Sequence, residues 1–323
     1  MEPADTSVSI ESMPEPSLSL DQPLRKRSTL TRRLDRAFLR TRSALRQLKG
    51  DVAKLRARLD KRSDEWDWPR FHREVRGEGR RLLCRLDRFP DAVLISGCQR
   101  SGTTMLSRII RESAGMANYR RGNDDELDGA LILCGLESPA EYPPGTRFCF
   151  QTTYLNESYR EYFDEAYEYR LIWVLRNPCS VVHSMKYNWD RFAFEELFRG
   201  CGYPLLEDRE KHLYDAIGRA AVGKTRRACL SYVGKQLQAE KLARRLGPER
   251  MMIVDYDELV RDKLRLLRRI YDFIELPFAP TYADGIHERS VAKASLLAPR
   301  ERRLVSALCG PVYERIKALA VPP

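Results

Sequence analysis

The sequence predicts an α/β protein: a doubly wound parallel sheet flanked by helices, with an N-terminal helical or coiled-coil extension. Three observations predict it. Apolar runs bounded by turns recur at Ala92–Ser96, Arg147–Gln151, Tyr169–Leu175 and Met251–Asp255. Helical patterns separate them, at Thr103–Ser113, Cys179–Trp189, Asp208–Leu246 and Asp257–Phe273, and a last one covers Pro299–Ala320. Strands buried on both faces and joined by helices read in this way. The chain, 323 residues with ordinary glycine, proline and apolar content, is long enough for a substantial core.

Four segments follow from the N-terminus. Residues 1–24 hold five acids and no Lys or Arg, with many Pro and Ser, and are expected to be a disordered acidic tail. Residues 25–62 hold fifteen Lys and Arg against three acids, so the net charge of +11 belongs mainly to this stretch. Within the segment 25–63, Phe38, Leu45, Val52 and Leu59 recur every seven residues. A basic amphipathic helix or short coiled coil is the expectation, serving dimerisation, docking on an anionic surface, or packing on its own main domain. Gly50 weakens the seam. Residues 64–90 form a connector with Trp66, Trp68 and Phe71 available to pack, and residues 91–323 form the main domain.

The eight cysteines include no C-x-x-C pair and sit mostly among apolar neighbours, which suits reduced, buried thiols in a cytoplasmic protein. No apolar run approaches the ~20 residues of a membrane helix. The four histidines lack metal-ligand spacing, and neither a metal nor a nucleic-acid partner is expected.

The first apolar run leads into Ser96–Met105, SGCQRSGTTM. Strand, glycine turn and helix make the layout of a P-loop-like phosphate site. Gly97 and Gly102 let the backbone turn and bring N–H groups against an anion. Arg100, Ser101, Thr103 and Thr104 add side-chain donors, and the helix start adds its dipole. The glycine spacing is that of G-x-x-x-x-G-K-[ST], but Thr103 stands at the lysine position, so the positive charge sits three residues earlier, at Arg100. A second anion site is legible in YRLIWVLRNPCSVVHSM. Arg176 ends a strand, Pro178 can open a helix, and Ser184 lies two turns along it. Arg176 and Ser184 can therefore converge on one anion outside the carboxyl ends of the strands.

With both stretches in view, the chain resembles the sulfotransferase family that uses 3′-phosphoadenosine 5′-phosphosulfate (PAPS), in its soluble bacterial branch with an RSGTT loop. QRSGTT is similar to that family's 5′-phosphosulfate loop, VLRNPCSVVHS to its 3′-phosphate motif, and MIVDYDELVRDKLRLLRRIYDFIELP to a later segment; the resemblance covers roughly residues 91–300. It implies transfer of a sulfuryl group from PAPS to a hydroxyl or amine acceptor, with no metal. It further implies that Arg100 faces the bridging and sulfuryl oxygens, that Arg176 and Ser184 hold the 3′-phosphate, that Tyr256 contacts adenine, and that Lys293 reaches the 3′-phosphate. The branch places its base in an acidic motif after the first helix. Here that region is RRGNDDELDGA, and the candidates are Glu126, Asp125 and Asp124.

The departure is at FCFQTTYLNE, where many relatives carry lysine and this chain has Gln151. Glutamine donates a hydrogen bond without charge; Arg100, Lys186 or Lys293 would have to compensate. Gln151, Tyr154 and Asn156 are candidates for the acceptor pocket, for a small-molecule, carbohydrate or lipid acceptor. Two alternatives remain at this point: a nucleotide kinase or NTPase with an altered loop, for which Asp255 could supply the second acid, and a non-catalytic coiled-coil assembly protein with a degenerate nucleotide pocket.

Overall fold

The structure is a computed structural model of the chain. It describes residues 66–76, 81–119, 124–153, 161–164, 167–188, 203–217, 223–287 and 293–320. The expected acidic tail and basic helix, Tyr154 and Asn156 lie outside the described residues.

Four strands form one parallel sheet: β1 (Ala92–Gly97), β2 (Cys149–Gln151), β3 (Tyr169–Leu175) and β4 (Met251–Asp255). The order is β2-β1-β3-β4. A short helix at Trp68–Phe71 precedes the sheet, and the longer helices of the described residues, named in chain order, are α1 (Thr103–Arg111), α2 (Asp125–Leu133), α3 (Pro178–Asn188), α4 (Asp208–Ile217), α5 (Lys224–Leu246), α6 (Tyr256–Arg261), α7 (Lys263–Phe273) and α8 (Pro299–Lys317).

Each strand alternates between two apolar layers. Ala92 and Leu94 of β1, with Leu171, Trp173 and Leu175 of β3, pack on one face against α2, α3, α5 and α8. Val93 and Ile95, with Ile172 and Val174, pack on the other against α1, α6 and α7. Successive side chains in a strand point to opposite faces, so a strand covered on both faces must be apolar throughout. That is why no polar residue interrupts Ala92–Ile95 or Leu171–Leu175, and the doubly wound expectation is met.

The topology also locates the site. The chain leaves β1 through α1 on one face and leaves β3 through α3 and α5 on the other. β1 and β3 are neighbours, paired from Ala92↔Tyr169 to Gly97↔Val174. Their carboxyl ends therefore bound the crevice that forms where winding reverses, the usual ligand position in open α/β sheets.

Three elements differ from the sequence reading. The run Arg147–Gln151 is a strand only at Cys149–Gln151, because Arg147 pairs its backbone with Gly115 and Ala117 instead. The pattern Asp257–Phe273 is two helices, since Asp262 (φ −128°, ψ 67°) leaves the helical region between them. Asp125–Leu133 is a helix that the periodicity does not reveal, because eight of its nine residues are buried and it has no polar stripe. Its Gly129 admits a close neighbour: a Cβ there would lie 3.0 Å from the Tyr119 hydroxyl oxygen and 3.3 Å from Phe150.

The expected run Asp208–Leu246 contains α4 and α5, with 218–222 outside the described residues. Seven of the eight cysteines are described, and none is in a disulfide. Among the described residues, no helix is long and apolar enough to cross a membrane.

Trp173 is fully buried at the centre of the sheet. Trp173→Ala is expected to lower unfolding free energy by about 3–5 kcal/mol, measured by urea denaturation.

Candidate active site

The loop after β1 is built around two glycines, each required for a specific reason. Gly97 has φ 155°, and a Cβ on it would sit 2.6 Å from the carbonyl oxygen of Val174. The loop can therefore lie against β3 only with glycine there. Gly102 has φ 102°, and a Cβ would meet the Tyr256 ring at 2.3 Å. Between them Arg100 takes a left-handed φ of 71°, strained for a residue with a side chain. Thr103 and Thr104 then open α1, whose first turn carries no acid.

The end of β3 meets this loop directly. Arg176, 4% exposed, donates through Nη1 to the Arg100 carbonyl oxygen at 3.0 Å. Its guanidinium lies 4.4 Å from the centre of the Tyr256 ring, and the Tyr232 hydroxyl donates to the Arg176 carbonyl at 2.9 Å. Asn177 accepts from the Cys179 N–H at 2.9 Å and so caps the start of α3. That helix carries Ser184, whose Oγ accepts from Arg100 Nε at 3.0 Å. The two motifs that the sequence places apart are thus joined by hydrogen bonds.

Lys293 completes the cationic end. Burial lowers the pKa of its ammonium, and the charges of Arg176 and Arg100 lower it further. Burial likewise depresses Arg176, against the opposing influence of Tyr256 and Asp257. Bringing these cations together is unfavourable until an anion neutralises them. Lys186, the other lysine considered, is tied to Glu301. His183 lies outside the cavity lining.

These groups line a cavity of about 470 Å³, together with the acidic start of α2. The three candidate acids occupy three environments. Asp124 caps α2, accepting from the N–H groups of Glu126 and Leu127 at 3.1 Å each, and takes the Trp68 Nε1–H at 2.7 Å. Asp125 is buried between Arg108 (2.5 Å) and Arg111 (2.7 Å). Burial alone would raise its pKa, but the hydrogen bonds from Arg108 and Arg111 outweigh it, and the carboxyl is held below its usual range. Glu126, 3% exposed, accepts from Gln151 Nε2 at 2.8 Å. The Gln151 amide also donates to Thr103 Oγ1 and accepts from Ser107 Oγ, both at 3.4 Å, so it links Glu126 to α1.

The cavity thus brings together Arg100, Gly102, Thr103, Thr104, Arg176, Ser184, Tyr256, Lys293, Gln151 and all three acids. Gly97 and Ser101 stand behind the lining: Gly97 allows the close approach to β3, and the Ser101 N–H closes the turn onto the Cys98 carbonyl at 3.1 Å. Gln99, Arg108 and Thr153 also line it, and the sequence reading did not single them out. Gln99 and Thr153 adjoin named motif residues in the chain, which is the only signal they carried. Asp255 is not in the lining: it caps α6, accepts the Tyr313 hydroxyl at 2.9 Å and lies 3.6 Å from Lys317. Its carboxylate is committed to the fold, which removes the second acid that the altered-NTPase alternative requires.

The fold and the site define an α/β protein with a phosphate-type loop and a cationic crevice at its topological switch point. Residues 134–280, a little under half of the chain, match the model of the sulfotransferase family. The match includes Arg176, Ser184 and Tyr256, and the loop after β1 precedes it. Among solved structures, the sulfotransferase domain from the curacin biosynthetic pathway is similar at 17% identity, over 73% of this chain and 93% of that one, with a TM-score of 0.39. The sulfotransferase from Alicyclobacillus acidocaldarius is similar at 18% identity, over 71% and 95%, with a TM-score of 0.43. Mouse sulfotransferase SULT7A1 complexed with PAP is similar at 15% identity, over 74% and 94%, with a TM-score of 0.40. These scores lie below 0.5 and carry no argument about the site. No curated protein matches the sequence significantly.

The Asp125 pair gives a stability prediction with a defined sign. A carboxyl whose pKa is depressed by folding contributes stability above its unfolded value of about 3.9, and that contribution is lost as pH falls through the folded pKa. Asp125→Ala is expected to cost about 3–5 kcal/mol at pH 7, because it leaves Arg111 buried without its carboxylate. Asp125→Asn should lose less stability than the wild type between pH 7 and pH 3; urea unfolding at both pH values checks this.

Proposed function

We propose that this chain transfers a sulfuryl group from PAPS to a hydroxyl or amine acceptor. The observation that carries the reading is the meeting of Arg100, Arg176, Ser184 and Lys293 in a cavity that a buried carboxylate, Glu126, also lines. Two separate anionic groups suit this arrangement. Arg176, Lys293 and Ser184 suit a phosphate dianion; the start of α1, with Thr103, Thr104 and Arg100, suits a second phosphate and the group leaving it. The phosphates of PAPS are of this kind, and no residue in the arrangement requires a metal.

The roles follow from the chemistry. Transfer of this type is an in-line displacement with charge growing on the leaving oxygen. Arg100 neutralises that charge. Tyr256 supports the Arg176 guanidinium and keeps it against the loop. Glu126 accepts the acceptor's proton, because Asp125 is tied to two arginines and Asp124 is occupied as a cap. Gln151 aims Glu126 and adds no charge, so Lys293 supplies the charge that this strand end lacks.

The setting belongs to the same proposal. Unbridged cysteines fit a reducing cytoplasm, and residues 25–63 fit a dimerising helix; light scattering of the full chain against one starting at Trp66 tests the latter, with a dimer's mass expected for the full chain and a monomer's for the shorter one.

The test is isothermal titration with adenosine 3′,5′-bisphosphate against ATP–Mg. The bisphosphate should bind tighter; tighter ATP–Mg with no response to the bisphosphate would overturn the reading. Arg176→Ala should weaken bisphosphate binding by roughly 10-fold or more, the worth of a charge-assisted hydrogen bond of ~1.5–3 kcal/mol. Glu126→Gln should leave that affinity within about two-fold, a change of only ~0.4 kcal/mol. It should cut sulfate transfer from labelled PAPS by ~10²–10⁴, as expected for loss of a general base.

A further inference from the structure

Arg176 lines the cavity, and the peptide bond that follows it is held from both sides. Its carbonyl oxygen accepts the Tyr232 hydroxyl of α5 at 2.9 Å. Its N–H, which belongs to Asn177, donates to Oδ2 of Asp257 on α6 at 2.8 Å. These partners stand 56 and 80 positions along the chain from the residues they hold. Both are buried. Burial pushes the Tyr232 phenol well up, so its hydroxyl stays a donor. Burial also raises the Asp257 carboxyl, while the Asn177 N–H and the Arg176 charge act against it.

The start of α3 explains why a distant acid is used. The N–H of a capping residue is often taken by a Glu or Gln side chain three positions on. Here that position is Ser180, and the Asn177 side chain already accepts the Cys179 N–H at 2.9 Å. The Asp257 carboxylate takes the Asn177 N–H instead. It is held in place because Asp255 caps α6, accepting from the N–H groups of Asp257 and Glu258 at 2.8 and 3.3 Å. Asp255 in turn accepts the Tyr313 hydroxyl of α8 at 2.9 Å. Between the two acids, Tyr256 sets its ring 4.4 Å from the Arg176 guanidinium. A peptide unit is planar, so fixing both its oxygen and its N–H restricts the direction in which the Arg176 side chain leaves the backbone. That direction leads to the Arg100 carbonyl, which Nη1 meets at 3.0 Å.

We propose that Asp257 and Tyr232 are positioning residues, which clamp the Arg176–Asn177 peptide and so aim the Arg176 guanidinium at the 3′-phosphate of the nucleotide. This deepens the sulfuryl-transfer reading and rests on it. Neither residue lines the cavity, so both act through Arg176. Charge-assisted hydrogen bonds depend on alignment, and a guanidinium that loses its aim loses much of its grip. Thr103 and Thr104 at the start of α1 serve the other phosphate with groups of their own. The clamp therefore sets the affinity for one phosphate and not for the nucleotide as a whole.

The experiment titrates the full chain with adenosine 3′,5′-bisphosphate and with adenosine 5′-phosphate, and reads the ratio of the two Kd values. Asp257→Ala should lower the preference for the bisphosphate by roughly 10-fold, equivalent to ~1.4 kcal/mol, and leave adenosine 5′-phosphate binding within about two-fold. Asp257→Asn removes the same charge but keeps an oxygen for the Asn177 N–H, and should retain the wild-type preference. Tyr232→Phe loses one hydroxyl and keeps its ring in the core, so it reads the clamp even where Asp257→Ala does not fold. It should lower the preference by about 3-fold or more. An unchanged preference in either Asp257→Ala or Tyr232→Phe overturns the clamp. So does an equal preference in the alanine and asparagine variants, or an equal loss of affinity for both nucleotides. Each of these results leaves the nucleotide reading standing, whereas a wild-type chain that does not bind the bisphosphate overturns both.

Discussion

The close approach of the loop after β1 to the end of β3 is the contact on which the site depends. Gly97 has no side chain to keep the Val174 carbonyl away, so the loop can lie against its neighbour strand. Arg176 then reaches the Arg100 carbonyl, and Arg100 reaches Ser184 on α3. Tyr256 closes the arrangement from β4's side, under Arg176 and over Gly102. Three βα junctions are thereby locked into one cationic surface, assembled against the mutual repulsion of its own cations. That repulsion is tolerable because the core on both faces of the sheet holds the elements in place. It also makes the binding of an anion favourable, since the ligand relieves a cost already present in the protein.

The acid end works by division of labour among three consecutive acids. A helix start exposes N–H groups that need partners, and Asp124 satisfies two of them. The next residue faces α1 and meets Arg108 and Arg111. The third turns toward β2 and meets a neutral amide, Gln151. A lysine at 151 would add a charge beside Glu126; glutamine holds it with a neutral amide. Lys293, at the cationic end, lines the same cavity.

Much of this was legible along the chain. Strands buried on both faces announce themselves as apolar runs, and the glycine pair with Arg100 and the Arg176–Ser184 spacing are local patterns. Less legible was α2, because a helix buried on nearly every side has no polar stripe to give it a period, and Gly129 looks like a breaker until Tyr119 and Phe150 are seen against it. The choices between Lys186 and Lys293, and among Asp124, Asp125 and Glu126, were beyond reach for one reason. Each depends on a partner far away in sequence: Glu301 for Lys186, Arg108 and Arg111 for Asp125, Gln151 for Glu126.

By itself, then, the amino-acid sequence determined the sheet, the loop and the residue types able to grip two anions, because periodicity, glycine and the charge of arginine are properties of short stretches. Only the tertiary structure decided which of three adjacent acids is spoken for and which lysine stands at the crevice. Those outcomes rest on distances between residues tens of positions apart, and electrostatics and hydrogen bonding act through space.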